Sequence, residues 1–294
     1  MTLTLQYAVD ALNVGGLYAL MALGIGLIFG IMRLINFAHG ELVMVGGYAM
    51  LLFVQLPGPL VLVLSIIVVI GLALGMERLA FRPLREAAPS TLLVASFALS
   101  YFLQNFFVLA FGARPVPFVF ASSLSTDFEV GHVRIALLQI VSMTLTLLAL
   151  AGLTVLLKRT AIGVQLRAAS QDFRAARLCG VRANSVIAFA FAISGALAWI
   201  VSLIYSAQIG QLSPAMGVRP VVIGFVATIL GGLGSLVGAV LGGFFVGALS
   251  VMLEATLSLQ LRPFKEAVLF ALVFLVLLLR PQGLIAVRAL KERV

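Results

Sequence analysis

Charge is scarce in this chain. Asp, Glu, Lys and Arg make up 10% of its 294 residues, against 63% hydrophobic, and mean hydropathy is +1.21. The polar residues are too few to cover the outside of a soluble domain of this composition. The single cysteine, Cys179, excludes an internal disulfide and a cysteine-rich metal site. No serine elbow, HExxH pair, phosphate loop ending in Gly-Lys-Ser/Thr or paired intramembrane aspartates occurs. Catalysis and a metal or cofactor therefore find no support. Acids are almost absent from the apolar runs, which argues against a carrier driven through buried carboxylates. The N-terminus lacks a basic leader and a small-residue cleavage site, so the first apolar run is expected to stay as a helix.

What is present is long apolar sequence. The runs are continuous, whereas a transmembrane barrel would alternate in segments of about ten residues. The class is all-α: a polytopic transmembrane helical bundle within one domain, 1–294. A helical span needs about 20 apolar residues. Charged residues and breakers place helices between Asp10 and Arg33, then near 40–55 and 60–77 around Pro57-Gly58-Pro59, 90–111, 135–157 and 184–208. The segments 216–231, 234–255 and 263–280 follow, with Gly231-Gly232-Leu233-Gly234 as a break.

The net charge of +9 is clustered beside apolar spans, so it points to membrane orientation and not to nucleic acid. Arg78, Arg82 and Arg85 form one cluster. Arg280, Arg288, Lys291 and Arg293 form another. Between them lies an island from Lys158 to Arg182 with six cations and one acid, Asp172. All three are expected in the cytoplasm, and the cation-free N-terminus outside. An odd number of crossings is expected between island and tail. That makes 216–231 re-entrant or half of a broken unit, with about eight spans in all. The loop from Gly112 to Arg134 is the longest external one.

Three motifs stand out. Gly234, Gly238 and Gly242 recur every fourth residue, a smooth ridge for close helix packing. Gly26–Gly30 and Gly71–Gly75 repeat that spacing. Asn36, His39 and Glu41 form a polar patch after the first span. It reads either as a pathway, metal or proton site or as a loop and helix start, with Glu41 suited to a helix N-terminus. In the island, a helix from near Gly163 to Gly180 has a glycine stop. Leu166, Ala169, Phe173, Ala176 and Leu178 give it a partly apolar side. It reads either as a docking element for a soluble partner or as a topological anchor.

Together these pieces resemble the permease subunit of bacterial branched-chain amino-acid ABC transporters. The matching residues are Leu34-Ile35-Asn36-Phe37-Ala38-His39-Gly40-Glu41 with Gly46-Gly47-Tyr48; Gly163, Arg167-Ala168, Asp172, Ala175-Ala176 and Gly180-Val181; Ala188-Phe189 with Ser194-Gly195-Ala196-Leu197-Ala198; Gly231 to Ser235 with Gly238-Ala239 and Gly242-Gly243; and Arg280-Pro281-Gln282-Gly283-Leu284. They run through nearly the whole chain in family order. The Asn36 patch resembles the first of that system's two permease types. The resemblance implies that the loop at about 158–184 contacts a cytoplasmic ATPase through Gly163, Arg167, Ala168, Asp172, Ala175, Ala176 and Gly180. In the general importer pattern a glutamate precedes the two alanines; here Arg174 stands in its place. The implied partners are a second permease subunit, two ATP-binding subunits, a periplasmic binding protein and the lipid bilayer of the bacterial inner membrane. The implied substrate is leucine, isoleucine, valine or a relative. Related permeases carry urea, short amides or other amino acids. A stand-alone channel or secondary carrier would not need the docking loop.

Overall fold

The computed structural model describes residues 2–118, 127–130 and 133–285. Eleven helices occur in this range: α1 (Thr2–Met32), α2 (His39–Leu52), α3 (Gly58–Gly75), α4 (Pro89–Phe111), α5 (Leu137–Arg159), α6 (Ala161–Gln171), α7 (Phe173–Leu178), α8 (Ala183–Ile209), α9 (Val218–Gly231), α10 (Leu236–Thr256) and α11 (Lys265–Leu279). Six of them, α1, α3, α4, α5, α8 and α10, are long and apolar enough to cross a membrane. Three shorter ones, α2, α9 and α11, have 14 or 15 residues. At 1.5 Å per residue each is about 21–22 Å long, short of a hydrocarbon core of about 30 Å. The expected eight spans thus become six long helices and three short ones.

Helix ends follow local chemistry. Pro57 caps α3, Pro59 stands in its first turn, and Pro89 opens α4; proline suits the first helical turn because its missing N–H would be unpaired there anyway. Gly210 closes α8 with φ +69, a left-handed cap. A π-helical turn, Met76–Phe81, extends α3 toward the first basic cluster.

The helix α1 is the axis. Its apolar window is 78% buried, against 22% for α5. It packs on α5, α8, α9 and α10. Glycines set the closeness. A Cβ at Gly243 or Gly247 would strike the backbone of Ala19 or Gly15, and one at Gly238 or Gly242 would strike the carbonyls of Gly231 or Ala227. So α10 shows one smooth face to α1 and another to α9. Gly234 departs from the expected ridge: it precedes the helix, has φ +91, and no atom lies within 4 Å of where its Cβ would be. Gly71 and Gly75 also meet nothing within 4 Å. Their spacing gave no way to tell an outward face from a packed one.

Two loop groups mark the ends of the bundle. On one, strands β1 (Val116–Pro117) and β4 (Gln211–Leu212) pair, as do β2 (Asp127–Val130) and β3 (Val133–Ala136). On the other lie the island and the start of α10. Leu284 N–H donates to Leu230 O (2.7 Å) and Ile285 N–H to Gly231 O (3.1 Å), which ties the end of α9 to the segment after α11. From the island the chain therefore runs out along α8, back along α9, out along α10 and back along α11. The number of passes is four, not odd. Two loops on one face are always separated by an even number, so α9 needs no discount. A short strand, Gln211–Leu212, and a turn over 214–217 lead into it. Arg280 is described; Arg288, Lys291 and Arg293 of the expected tail cluster, and His132 of the external loop, lie outside the described residues.

Candidate functional site

The island is not a single helix from Gly163 to Gly180. It breaks at Asp172, whose backbone is extended (φ −145, ψ 104). The cause is capping: the Asp172 carboxylate accepts from Ala175 N–H (3.0 Å) and starts α7 afresh. Thr160 caps α6 the same way, through Gly163 N–H (3.0 Å). Gly163 also lets α6 fold back on the end of α5. A Cβ there would stand 2.5 Å from Leu157 O and 2.6 Å from Leu157 Cα. Gly180 has φ +86, and Val181 N–H reaches back to Ala176 O (3.1 Å), closing α7.

This break sorts the expected coupling residues. Gly163, Leu166, Ala169 and Ala176 are buried toward the bundle, and Ala168 is half-buried. Arg167, Asp172, Ala175 and Gly180 are exposed. The side chains of Phe173 and Arg174 lie outside the described residues. Leu178 departs from the expected inner apolar side: it is 90% exposed at the tip of α7. Its outward aim follows from restarting the helical phase at Asp172, and an Asp-x-x-Ala capping pattern was the signal available for it.

The polar patch lies deep inside. Arg33, at φ +51, turns the chain at the end of α1. The next residues run back into the bundle, and α2 starts beside Gly24 of α1, where His39 packs. Asn36, His39 and Glu41 are all buried. His39 and Glu41 face different neighbours. His39 Nδ1 bonds Ser194 Oγ (3.1 Å), which itself donates to Gly24 O (3.0 Å). Glu41 Oε1 accepts from Ser100 Oγ and Gln104 Nε2, both at 2.7 Å. The two side chains therefore do not converge on a common ligand, and no group of three metal-ligating side chains occurs among the described residues.

Two serine ladders hold this short helix. On α4, Ser96 accepts from Phe37 N–H (3.3 Å) and donates to main-chain carbonyls, while Ser100 and Gln104 hold Glu41. On α8, Ser194 holds His39 and Ser202 donates to Val43 O (2.6 Å). Irregular backbone at membrane depth requires such partners. Ser96, Ser100 and Gln104 recur at every fourth residue, a polar stripe that apolar length and bracketing charges do not pick out. Both polar side-chain atoms of Asn36, His39 Nε2 and Glu41 Oε2 have no hydrogen-bond partner among the described residues. Phe37 stacks on Phe97 with centroids 4.1 Å apart.

At the same depth α2 meets α9. Gly40 and Gly217, one at each N-terminus, touch backbone to backbone. Two short helices thus start from one central point and run to opposite faces, each entered from a turn, 37–38 before α2 and 214–217 before α9. This is the arrangement of a polytopic membrane transport protein with discontinuous helices at its midplane.

The comparisons agree with that class. The family described as "Branched-chain amino acid transport system / permease component" matches residues 7–277, and the chain belongs to it. It is 34% identical over 300 residues to the high-affinity branched-chain amino acid transport system permease protein BraD of Pseudomonas aeruginosa, covering 96% of this chain and 95% of that one. It is 33% identical over 297 residues to the corresponding protein LivH of Escherichia coli, with 96% and 95% covered. Identity is 31% over 249 residues to the probable branched-chain amino acid transport permease protein LivH of Methanocaldococcus jannaschii, covering 81% and 77%. No solved structure matches the chain.

Proposed function

We propose that this chain is the membrane-spanning permease subunit of an ATP-driven importer in the bacterial inner membrane, and that it passes leucine, isoleucine, valine or a close relative to the cytoplasm. The observation that carries this reading is the end-to-end likeness to permease proteins of branched-chain amino-acid systems. The chain pairs with a second permease. Two ATP-binding subunits supply hydrolysis, and a periplasmic binding protein delivers substrate. Segment 158–184 is the coupling element. Its inner residues Gly163, Leu166, Ala169 and Ala176 fix it to the bundle, while Ala175 and Leu178 meet the ATPase. Closure of the ATPases moves α6 and α7 as the binding protein presents substrate on the other face. Asn36, His39 and Glu41 stand where the two short helices meet, at the point about which access alternates.

The test is uptake in vesicles holding this chain with its second permease, ATP-binding subunits and binding protein. Labelled leucine, isoleucine and valine are compared with urea and acetamide. ATP-dependent uptake of at least one of the three amino acids is expected. Uptake of urea or acetamide alone overturns the substrate; uptake without ATP-binding subunits overturns the importer.

A further inference from the structure

Between the inner half of α1, the end of α5, α6 and the start of α10 runs a groove of about 480 Å³. Its floor is aliphatic: Leu27 and Ile31 of α1, with Leu153 and Leu157 of α5, are all buried. Its far wall is exposed, with Val237 at 65%. The neighbouring α5 is the least covered of the long helices, so the groove opens to whatever surrounds the bundle. In a membrane that is acyl chain.

One end of the groove is charged. Lys158 and Arg167 both line it, with Ser170 and Ser235 beside them. No Asp or Glu lines it. Neither cation makes a side-chain hydrogen bond or ion pair with the described residues, and both are exposed. Two unpaired cations without a carboxylate favour a net anion over a zwitterionic amino acid. The aliphatic length behind them favours an amphiphile over a free anion. Lys158 stands in the last turn of α5, just beyond its apolar stretch, and Arg167 in α6 beside it, where an amphiphile lying along α5 would carry its headgroup. We infer that this groove is a binding site for one anionic phospholipid. Its acyl chain lies against α1 and α5, and its phosphate lies between Lys158 and Arg167. Basic pockets between membrane helices hold acidic headgroups by the same physics. The site does not depend on the substrate carried.

The purified chain in phosphatidylcholine nanodiscs is given trace photoreactive phosphatidylglycerol or phosphatidylcholine, with the reactive group on the acyl chain, and labelled peptides are mapped. The glycerol probe is expected to mark residues 23–31, 150–157 and 236–241 at least tenfold more than the choline probe. Each cation near a surface contributes roughly fivefold in affinity. Lys158→Gln should therefore lower labelling about fivefold and the double change with Arg167→Gln about 25-fold. Both side chains are exposed, so the fold tolerates the changes, and the single variants stand in for the double. Arg159→Gln and Arg182→Gln remove the same charge outside the groove and should leave labelling intact. Equal marking by the two probes overturns the site. An equal loss in the Arg159 or Arg182 variants shows only diffuse attraction and also overturns it. Displacement of the lipid probe by millimolar inorganic phosphate would make it a free-anion site. Loss of labelling when the ATP-binding subunits are added would give the groove to a protein partner. Each of these results rejects the lipid.

Discussion

The contact between Gly40 and Gly217 makes a sharp prediction. A methyl at Gly40 would stand 2.5 Å from Gly217 O, 3.0 Å from its carbonyl carbon and 3.1 Å from Val221 Cβ. Ordinary contact begins at 3.4 Å. The shortfall between 2.5 and 3.4 Å is about 0.9 Å, and the nearest obstacles are backbone atoms, which have no rotamer to change. So α2 and α9 must separate. Such overpacking costs roughly 1–3 kcal/mol. Alanine in a helix returns at most about 0.5–1 kcal/mol relative to glycine. The net loss for Gly40→Ala is about 0–2.5 kcal/mol, and its centre of about 1.3 kcal/mol corresponds to roughly 3–5 °C in melting temperature. The comparison is Gly71→Ala in α3, where nothing lies within 4 Å and melting should hold or rise. Both variants are melted in the same detergent. If Gly40→Ala melts with Gly71→Ala, the two short helices do not meet as described.

Three further outcomes are expected. Single cysteines at Arg82, Gln171 and Leu290, in a Cys179→Ser background, should resist an impermeant thiol reagent in intact cells; labelling at Gln171 from outside refutes the orientation. Gly180→Val, which forces a β-branched residue to φ +86, and Ala176→Asp, which buries a charge at a cost on the order of several kcal/mol, should both abolish uptake and ATPase pull-down while the chain still inserts; normal uptake and pull-down in both would leave segment 158–184 a mere anchor. Arg85 pairs with Glu77 and bonds Asn184 Oδ1 (2.6 Å), joining the end of α3 to α8; Arg85→Gln should cost about 3–5 kcal/mol by stranding Glu77, and adding Glu77→Gln should restore much of it, so a double variant no better than the single one would deny the pair.

The sequence shows its long helices plainly because apolar length and bracketing charges are one-dimensional signals. The ends of α4 at Pro89 and α8 at Gly210 follow from backbone chemistry. Depth is different. That the Asn36–Glu41 patch folds back beside Gly24 depends on Arg33 adopting a left-handed turn, which no pattern signals for arginine. Glycine spacing announces smooth faces but not their targets. Gly238 and Gly242 face α9, Gly243 and Gly247 face α1, and Gly71 faces outward, all from similar spacing. In the island the basic count was legible. The break at Asp172, which turns Leu178 outward, needed the capping power of one aspartate to outweigh a run of good helix formers.

The remaining question is how movement at α7 reaches the central junction, and the packing allows one direct route. The helix α7 packs on α6 across the break at Asp172, α6 packs on α5 and α1, and α1 packs on α9. A shift of α6 and α7 relative to the bundle must therefore change their distance from α1. Gly30 of α1 and Ser170 of α6 measure it: a Cβ on Gly30 would lie 3.9 Å from Ser170 Cβ. A disulfide needs about 3.5–4.5 Å between Cβ atoms. Gly30→Cys with Ser170→Cys should therefore oxidise readily in the resting protein, with Cys179→Ser removing the exposed competing thiol. Reduced, the variant should transport. Oxidised, its uptake should fall at least tenfold and return with dithiothreitol, because the bond holds α6 at one distance. Complete oxidation with uptake unchanged would mean that α6 and α1 travel as one body. Movement would then have to enter through α5 instead, and the route argued from these contacts would be wrong.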